Sequence, residues 1–179
     1  ADFARLVLPQ LETIVCRDLA SRRLQHGQIR CTSTPRRIVV IIEDLPDFAD
    51  DLVREIKGPP AAQAFVDGLP TQAALGFARR FEVDPSELEV RKTAKGPFVY
   101  VNVVEKGAST NGLLCELIPN WIGNIHGPRF MRWSDGDRRF SRPLRWIIAL
   151  LDESLIPIEL KDLKPKISSG HLSQGHRLY

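Results

Sequence analysis

The sequence predicts an α+β fold, with a mixed or antiparallel sheet and packed helices. Three observations carry this. Between residues 2 and 24 apolar groups recur at helical spacing. Residues 36–43, Arg-Arg-Ile-Val-Val-Ile-Ile-Glu, form a β-branched run. Residues 88–93 and 98–104 alternate on either side of Ala94-Lys95-Gly96-Pro97, which is the pattern of a β-hairpin.

In chain order, Phe3, Leu6, Val7, Leu11, Ile14, Val15 and Leu19 form one helical stripe. Pro9 falls inside it, so the spacing predicts a kink or a late helix start. The run at 36–43 predicts a strand buried on both faces, entered through Thr32-Ser33-Thr34-Pro35-Arg36-Arg37. Lys57-Gly58-Pro59-Pro60 is a breaker that opens a new unit. Pro60 suits a first helical turn, and residues 61–66 read as a short helix. Pro70-Thr71 begins another helix, with Ala74, Phe77, Ala78 and Phe81 on one face. Asp84-Pro85-Ser86-Glu87 is a capping signature before the hairpin. Residues 109–123 resume a helix with Leu113, Leu114, Leu117, Ile118, Trp121 and Ile122 apolar. A strand over 146–151, a turn at Asp152-Glu153-Ser154 and a return strand over 155–160 follow, and residues 167–179 read as a strand or loop. The expected organisation is a main α+β body, 1–56 with 108–179, truncated at its C-terminal end. Residues 57–107 form a small inserted helix and hairpin unit.

A chain of 179 residues supports one good core or two small units. The net charge of +3 is mild, so basic character is local, which argues against a histone-like binder. Cys16, Cys31 and Cys115 are far apart and odd in number, with no CxxC spacing. A zinc site is therefore disfavoured and a reduced, cytoplasmic protein is the simpler reading. No apolar run approaches the roughly 20 residues of a membrane span. The chain begins Ala1-Asp2-Phe3 without an initiator Met, and it reads as a piece of a longer protein.

The functional signal lies in residues 129–146. Six arginines, two tryptophans and two phenylalanines share eighteen residues with two carboxylates. Guanidinium groups grip phosphates bidentately and stack on flat rings, and aromatic rings stack on bases. One reading has Arg132, Arg138, Arg139, Arg142 and Arg145 on RNA phosphates, with Trp133 or Phe140 as a platform. A second makes the segment an internal brace, with Asp135 and Asp137 holding arginines and the tryptophans in the core. A third makes it a subunit interface. Arg36 and Arg37, at the end of the buried strand, either face RNA or are solvated. His176 and Arg177, within Gly175-His176-Arg177, are phosphate or tRNA-end candidates, against a hydrogen-bonded structural histidine. Asp135-Gly136-Asp137 holds too few ligands for a calcium loop and reads as a turn. No Ser-His-Asp or Cys-His arrangement, GxxxxGK[ST] or GxGxxG occurs, so no catalytic residue, metal or nucleotide site is assigned.

Several segments, in order, resemble the N-terminal part of the beta subunit of bacterial heterotetrameric glycyl-tRNA synthetases. They are Thr34-Pro35-Arg36-Arg37, Lys57-Gly58-Pro59-Pro60 with Ala64-Phe65, and Pro70-Thr71 with Ala73-Ala74 and Gly76-Phe77-Ala78. Further on come Met131-Arg132-Trp133, Asp135-Gly136-Asp137, Phe140, Arg142-Pro143, Arg145-Trp146 with Ala149-Leu150-Leu151, and Gly175-His176-Arg177. Ser134 stands where the family favours Gly, and Leu178 where it favours Phe. The resemblance implies a body like the editing-type domain of the phenylalanyl-tRNA synthetase beta chain. It implies a part in charging glycine onto its tRNA by a class II, ATP-dependent ligase of two alpha and two beta subunits. ATP and Mg²⁺ would be used by the alpha subunit, with no cofactor in this piece and no catalysis by it alone. Glycine tRNA and the alpha subunit are the implied partners, with neither DNA nor membrane. The alternatives are an editing hydrolase acting on mischarged tRNA and a purely structural connector.

Overall fold

The computed structural model describes residues 2–34, 36–94, 96–128, 130–133, 139–163 and 165–173. The chain divides into two compact units, residues 1–50 with 108–179, and residues 51–107. All β-ladders formed by the strands of the described residues are antiparallel.

Unit 1 opens with helix α1, Asp2–Ser21. Val7, Leu11, Val15 and Leu19 are buried at four-residue spacing, which keeps one face against the core. The helix does not start late, because Pro9 lies inside it. Leu6 falls off the stripe and is exposed, contrary to the sequence pattern. Strands β1 (Ile29–Thr34) and β2 (Arg37–Ile42) form a two-stranded ribbon. Here the expectation of burial on both faces is overturned. Ile38, Val40 and Ile42 pack on the core, whereas Val39 and Ile41 are 38% and 41% exposed. An apolar run without alternation marks a strand, but whether a second layer covers its far face is a tertiary matter.

Unit 2 is a three-stranded sheet covered on one face by helix. Strand β3 (Leu52–Pro60) is followed by α2 (Ala61–Ala64), the short pair β4 (Phe65–Val66) and β5 (Leu69–Pro70), and α3 (Gln72–Arg80). A 3₁₀ turn at Pro85–Glu87 leads to β6 (Glu89–Thr93) and β7 (Gly96–Glu105). The sheet order is β3-β7-β6. Ile56, Val99, Val101 and Val103 pack with Ala64, Ala74 and Ala78 and with Phe77 and Phe81. The breaker Lys57-Gly58-Pro59-Pro60 does not open a unit; it ends β3. The register jumps between Lys57 and Pro60, where prolines that cannot donate are tolerated. Gly58 lies under Phe77, where a Cβ would come within 2.7 Å of the ring. The helix expected over 61–66 stops at Ala64, because Phe65 and Val66 pair with Pro70 and Leu69 around Asp67 and Gly68. Both turn residues have positive φ, 51° and 78°, as a tight two-residue hairpin requires. Asp84 caps the 3₁₀ turn, accepting from the Ser86 N–H and hydroxyl. These bonds hold its carboxyl below the usual range.

Unit 1 resumes with α4 (Thr110–Gly123), capped by the Ser109 hydroxyl. Leu113, Leu114, Leu117 and Trp121 enter the same core as α1. The Trp121 indole N–H donates to Asp18 at 3.1 Å, tying α4 to α1. The buried Thr110 hydroxyl donates to the Pro46 carbonyl. Short strands then follow as hairpins: β8 (Met131–Arg132) with β9 (Arg139–Phe140), β10 (Leu150–Leu151) with β11 (Ser154–Leu155), and β12 (Glu159–Leu160) with β13 (Ile167–Ser168). The expected strand over 146–151 shrinks to two residues, with Ile147 making one parallel bridge to Ser169. The return strand over 155–160 is broken, and Pro157 within it has no N–H to give a ladder. Ser169 joins these pieces: its hydroxyl donates to the Ile156 carbonyl and accepts from the Ile158 N–H.

Candidate nucleic-acid interface

The arginine-rich segment is fastened to the unit 1 core by its aromatic residues. On α1, the Gln10 amide grips the backbone of His126 from both sides, donating to its carbonyl at 3.0 Å and accepting its N–H at 3.2 Å. Next along, Gly127 leaves space for the Phe130 ring; a Cβ there would meet the ring at 2.6 Å. Phe130 packs against Phe140 with centroids 5.2 Å apart, and Phe140 is buried in the core. The Trp133 ring lies against the same core, and its indole N–H donates to the Phe140 carbonyl oxygen at 2.9 Å. Thus, of the two residues proposed as stacking platforms, Phe140 is buried and Trp133 is partly buried against the fold.

The hairpin register sends the basic residues the other way. Met131 faces Phe140 across the ladder, and Arg132 faces Arg139. Opposite residues share a face and successive residues alternate, so Arg132 and Arg139 lie on the face away from Phe140, both exposed, while Phe140 is buried and Met131 across from it is exposed at its edge of the ladder. Arg142 and Arg145 are also exposed. Among the described residues, no ion pair involves Arg139, Arg142 or Arg145. By contrast Arg17, Arg22 and Arg30 of the same unit reach Asp18, Glu116 and Glu43 at 2.9, 3.4 and 2.6 Å.

A second group of predicted residues joins this one. The Arg37 guanidinium lies 5.6 Å from the Trp146 ring centroid, within cation–π range. That stack brings the turn between β1 and β2 beside the end of the arginine-rich segment. Arg37 is half-buried; its neighbour Arg36 is exposed, and its backbone N–H is held by the Thr34 hydroxyl at 3.3 Å. Arg36, Arg142 and Arg145 are therefore carried by two chain segments that meet at Arg37 and Trp146. The sequence did not reveal the contribution of Gln10, Gly127 and Phe130. Nothing local ties Gln10 to His126, 116 residues away.

Arg138, His176 and Arg177 lie outside the described residues, as do Asp135, Gly136 and Asp137. His171 is exposed, and the His26 Nδ1 lies 2.8 Å from the Gly27 carbonyl oxygen. Among the described residues no group of three His, Cys, Asp or Glu could hold a metal ion, and no helix is long and apolar enough to cross a membrane. All three cysteines are free and half-buried. Burial, then the charges of Glu12 and Cys16, push the Cys31 thiol up, which makes it a poor nucleophile near neutrality.

Fold and surface together define an α+β chain that offers guanidinium groups from an aromatic frame. The family described as glycyl-tRNA synthetase beta subunit matches residues 1–179, and the chain belongs to that family. Similar proteins include the glycine–tRNA ligase beta subunits of a Picosynechococcus species, 46% identical, and a Synechocystis species, 43% identical. That of Myxococcus xanthus is 34% identical. Each match covers 99% of this chain and 25% of the relative, so the chain spans about a quarter of the length of these curated relatives.

Proposed function

We propose that this chain is the N-terminal part of a glycine–tRNA ligase beta subunit and supports charging of glycine onto its tRNA by holding the tRNA. The observation that carries the RNA contact is the set of exposed arginines, Arg36, Arg139, Arg142 and Arg145, on a frame anchored in the core. Exposed guanidinium groups suit phosphates, whose recognition by planar guanidinium groups is bidentate. In this reading the alpha subunit binds glycine, ATP and Mg²⁺, the assembly holds two copies of each subunit, and the complex works in the cytoplasm. The likeness of unit 1 to the editing-type domain of phenylalanyl-tRNA synthetase beta chains belongs to the proposal too. It is supported by the sequence resemblance.

The test is a titration of labelled glycine tRNA with this chain at several salt concentrations, with an unrelated tRNA as control. The expected result is binding that weakens steeply with salt. Each lost phosphate contact in an arginine-to-alanine series lowers the slope by about one. Failure to bind even at low salt would overturn the RNA reading and shift the role of this surface to subunit contact.

A further inference from the structure

We infer that this arginine surface takes the sugar–phosphate backbone of a double-stranded RNA stem and does not read unpaired bases. The inference rests on the tRNA-binding reading above and narrows it to one class of RNA structure. Its support is where the aromatic rings of the segment go. A surface for single strands combines cations with rings on which bases stack, and the sequence offers four rings for that purpose. In the fold Phe140 is buried. Phe130 packs on Phe140, Trp133 lies on the core with its N–H bonded to the Phe140 carbonyl, and Trp146 carries the Arg37 guanidinium. Among its described residues, the exposed charged groups are cationic: Arg132, Arg139, Arg142 and Arg145, joined by Arg36 from the neighbouring turn. Guanidinium contacts to phosphates fix register and carry no base readout, and base stacking needs a free ring. Duplex RNA is recognised mainly through its shape, its 2′-hydroxyls and its phosphates. The two segments that meet at Arg37 and Trp146 supply cations from separate places in the chain, which suits a surface of repeating phosphates.

The test compares three labelled RNAs with the intact chain across a salt series: a generic hairpin stem, an unstructured pyrimidine single strand of equal phosphate number, and glycine tRNA. The stem is expected to bind more tightly than the single strand at every salt concentration, without preference between two stem sequences. Trp133→Leu, which removes the aromatic face, is expected to change neither affinity by more than about twofold where circular dichroism shows the variant folded, whereas loss of one stacked base costs roughly tenfold. Equal or tighter binding of the single strand, or its selective loss in folded Trp133→Leu, would overturn the inference. Binding of tRNA but of neither short RNA would also overturn it while leaving the tRNA reading intact. If none of the three binds, the tRNA reading itself fails and takes the inference with it.

Discussion

Arg91 in unit 2 and Arg142 in unit 1 are the same side chain in two settings. Arg91 lies on the outer face of a regular sheet, where it reaches Glu89 on its own strand at 2.6 Å. It also reaches Glu55 two strands away at 2.5 Å, passing 5.8 Å from the Tyr100 ring centroid. Hydrogen bonding to Glu89, then the charge of Glu55, pushes its guanidinium further into the protonated range. Arg54 on the same sheet pairs with Glu105 at 3.3 Å. Arg142 and Arg145 follow a two-residue strand, and no ion pair among the described residues includes them. The sheet sets Glu55 and Glu89 beside Arg91 and Glu105 beside Arg54, so these arginines cross-link strands. The short hairpin is pinned by its rings, and among the described residues no carboxylate pairs with Arg139, Arg142 or Arg145. The difference lies in the partner each fold supplies and not in residue type.

The comparison is tested most severely at the frame. Phe140→Ala removes a ring from the unit 1 core and is expected to cost about 3–5 kcal/mol, read by urea denaturation. RNA affinity should fall with it. A cost below about 1 kcal/mol would mean that the hairpin is not anchored as described. Gly127→Ala should cost about 1–3 kcal/mol, because the new methyl meets the Phe130 ring. Trp133→Phe keeps a ring on the core but shrinks it and loses the hydrogen bond to the Phe140 carbonyl, for about 1–2 kcal/mol. The triple change of Arg139, Arg142 and Arg145 to Ala should leave stability within about 0.5 kcal/mol, yet flatten the salt dependence of tRNA binding. If this variant melts well below the parent, its arginines brace the fold and the contrast with Arg91 disappears. The smallest effect is expected for Arg91→Gln: a slight loss of thermal stability that added salt erases, with the tRNA salt slope unchanged.

Much of the fold was legible because its signals are local. The stripe Val7, Leu11, Val15 and Leu19, the Asp84 turn and the hairpin of β6 and β7 are written within a few residues of where they act. The arginine-rich segment was legible as a surface feature by density alone. The errors fell where a local signal needed a distant partner. The run at 36–43 showed a strand but not that Val39 and Ile41 would remain open. Lys57-Gly58-Pro59-Pro60 looked like a boundary because its proximity to Tyr100, Phe98 and Phe77 is invisible in one dimension. For Trp133 the sequence left platform and core both open, and its packing against the core is a long-range contact.

By itself the sequence determined the helical stripes, the caps, the turns and the concentration of guanidinium groups, since each depends on dihedral preference, periodicity or composition. It also carried the family resemblance through motifs in fixed order. The tertiary structure decided which residues are partners. It joined Gln10 to His126, set Phe130 on Phe140, and brought Arg37 over Trp146 so that two distant basic segments meet. The physical reason is that burial and pairing are properties of surfaces closed by long-range contact. A side chain's chemistry is fixed where it is encoded, but whether that chemistry is used within the fold or left available outside depends on what the fold brings within a few ångströms of it.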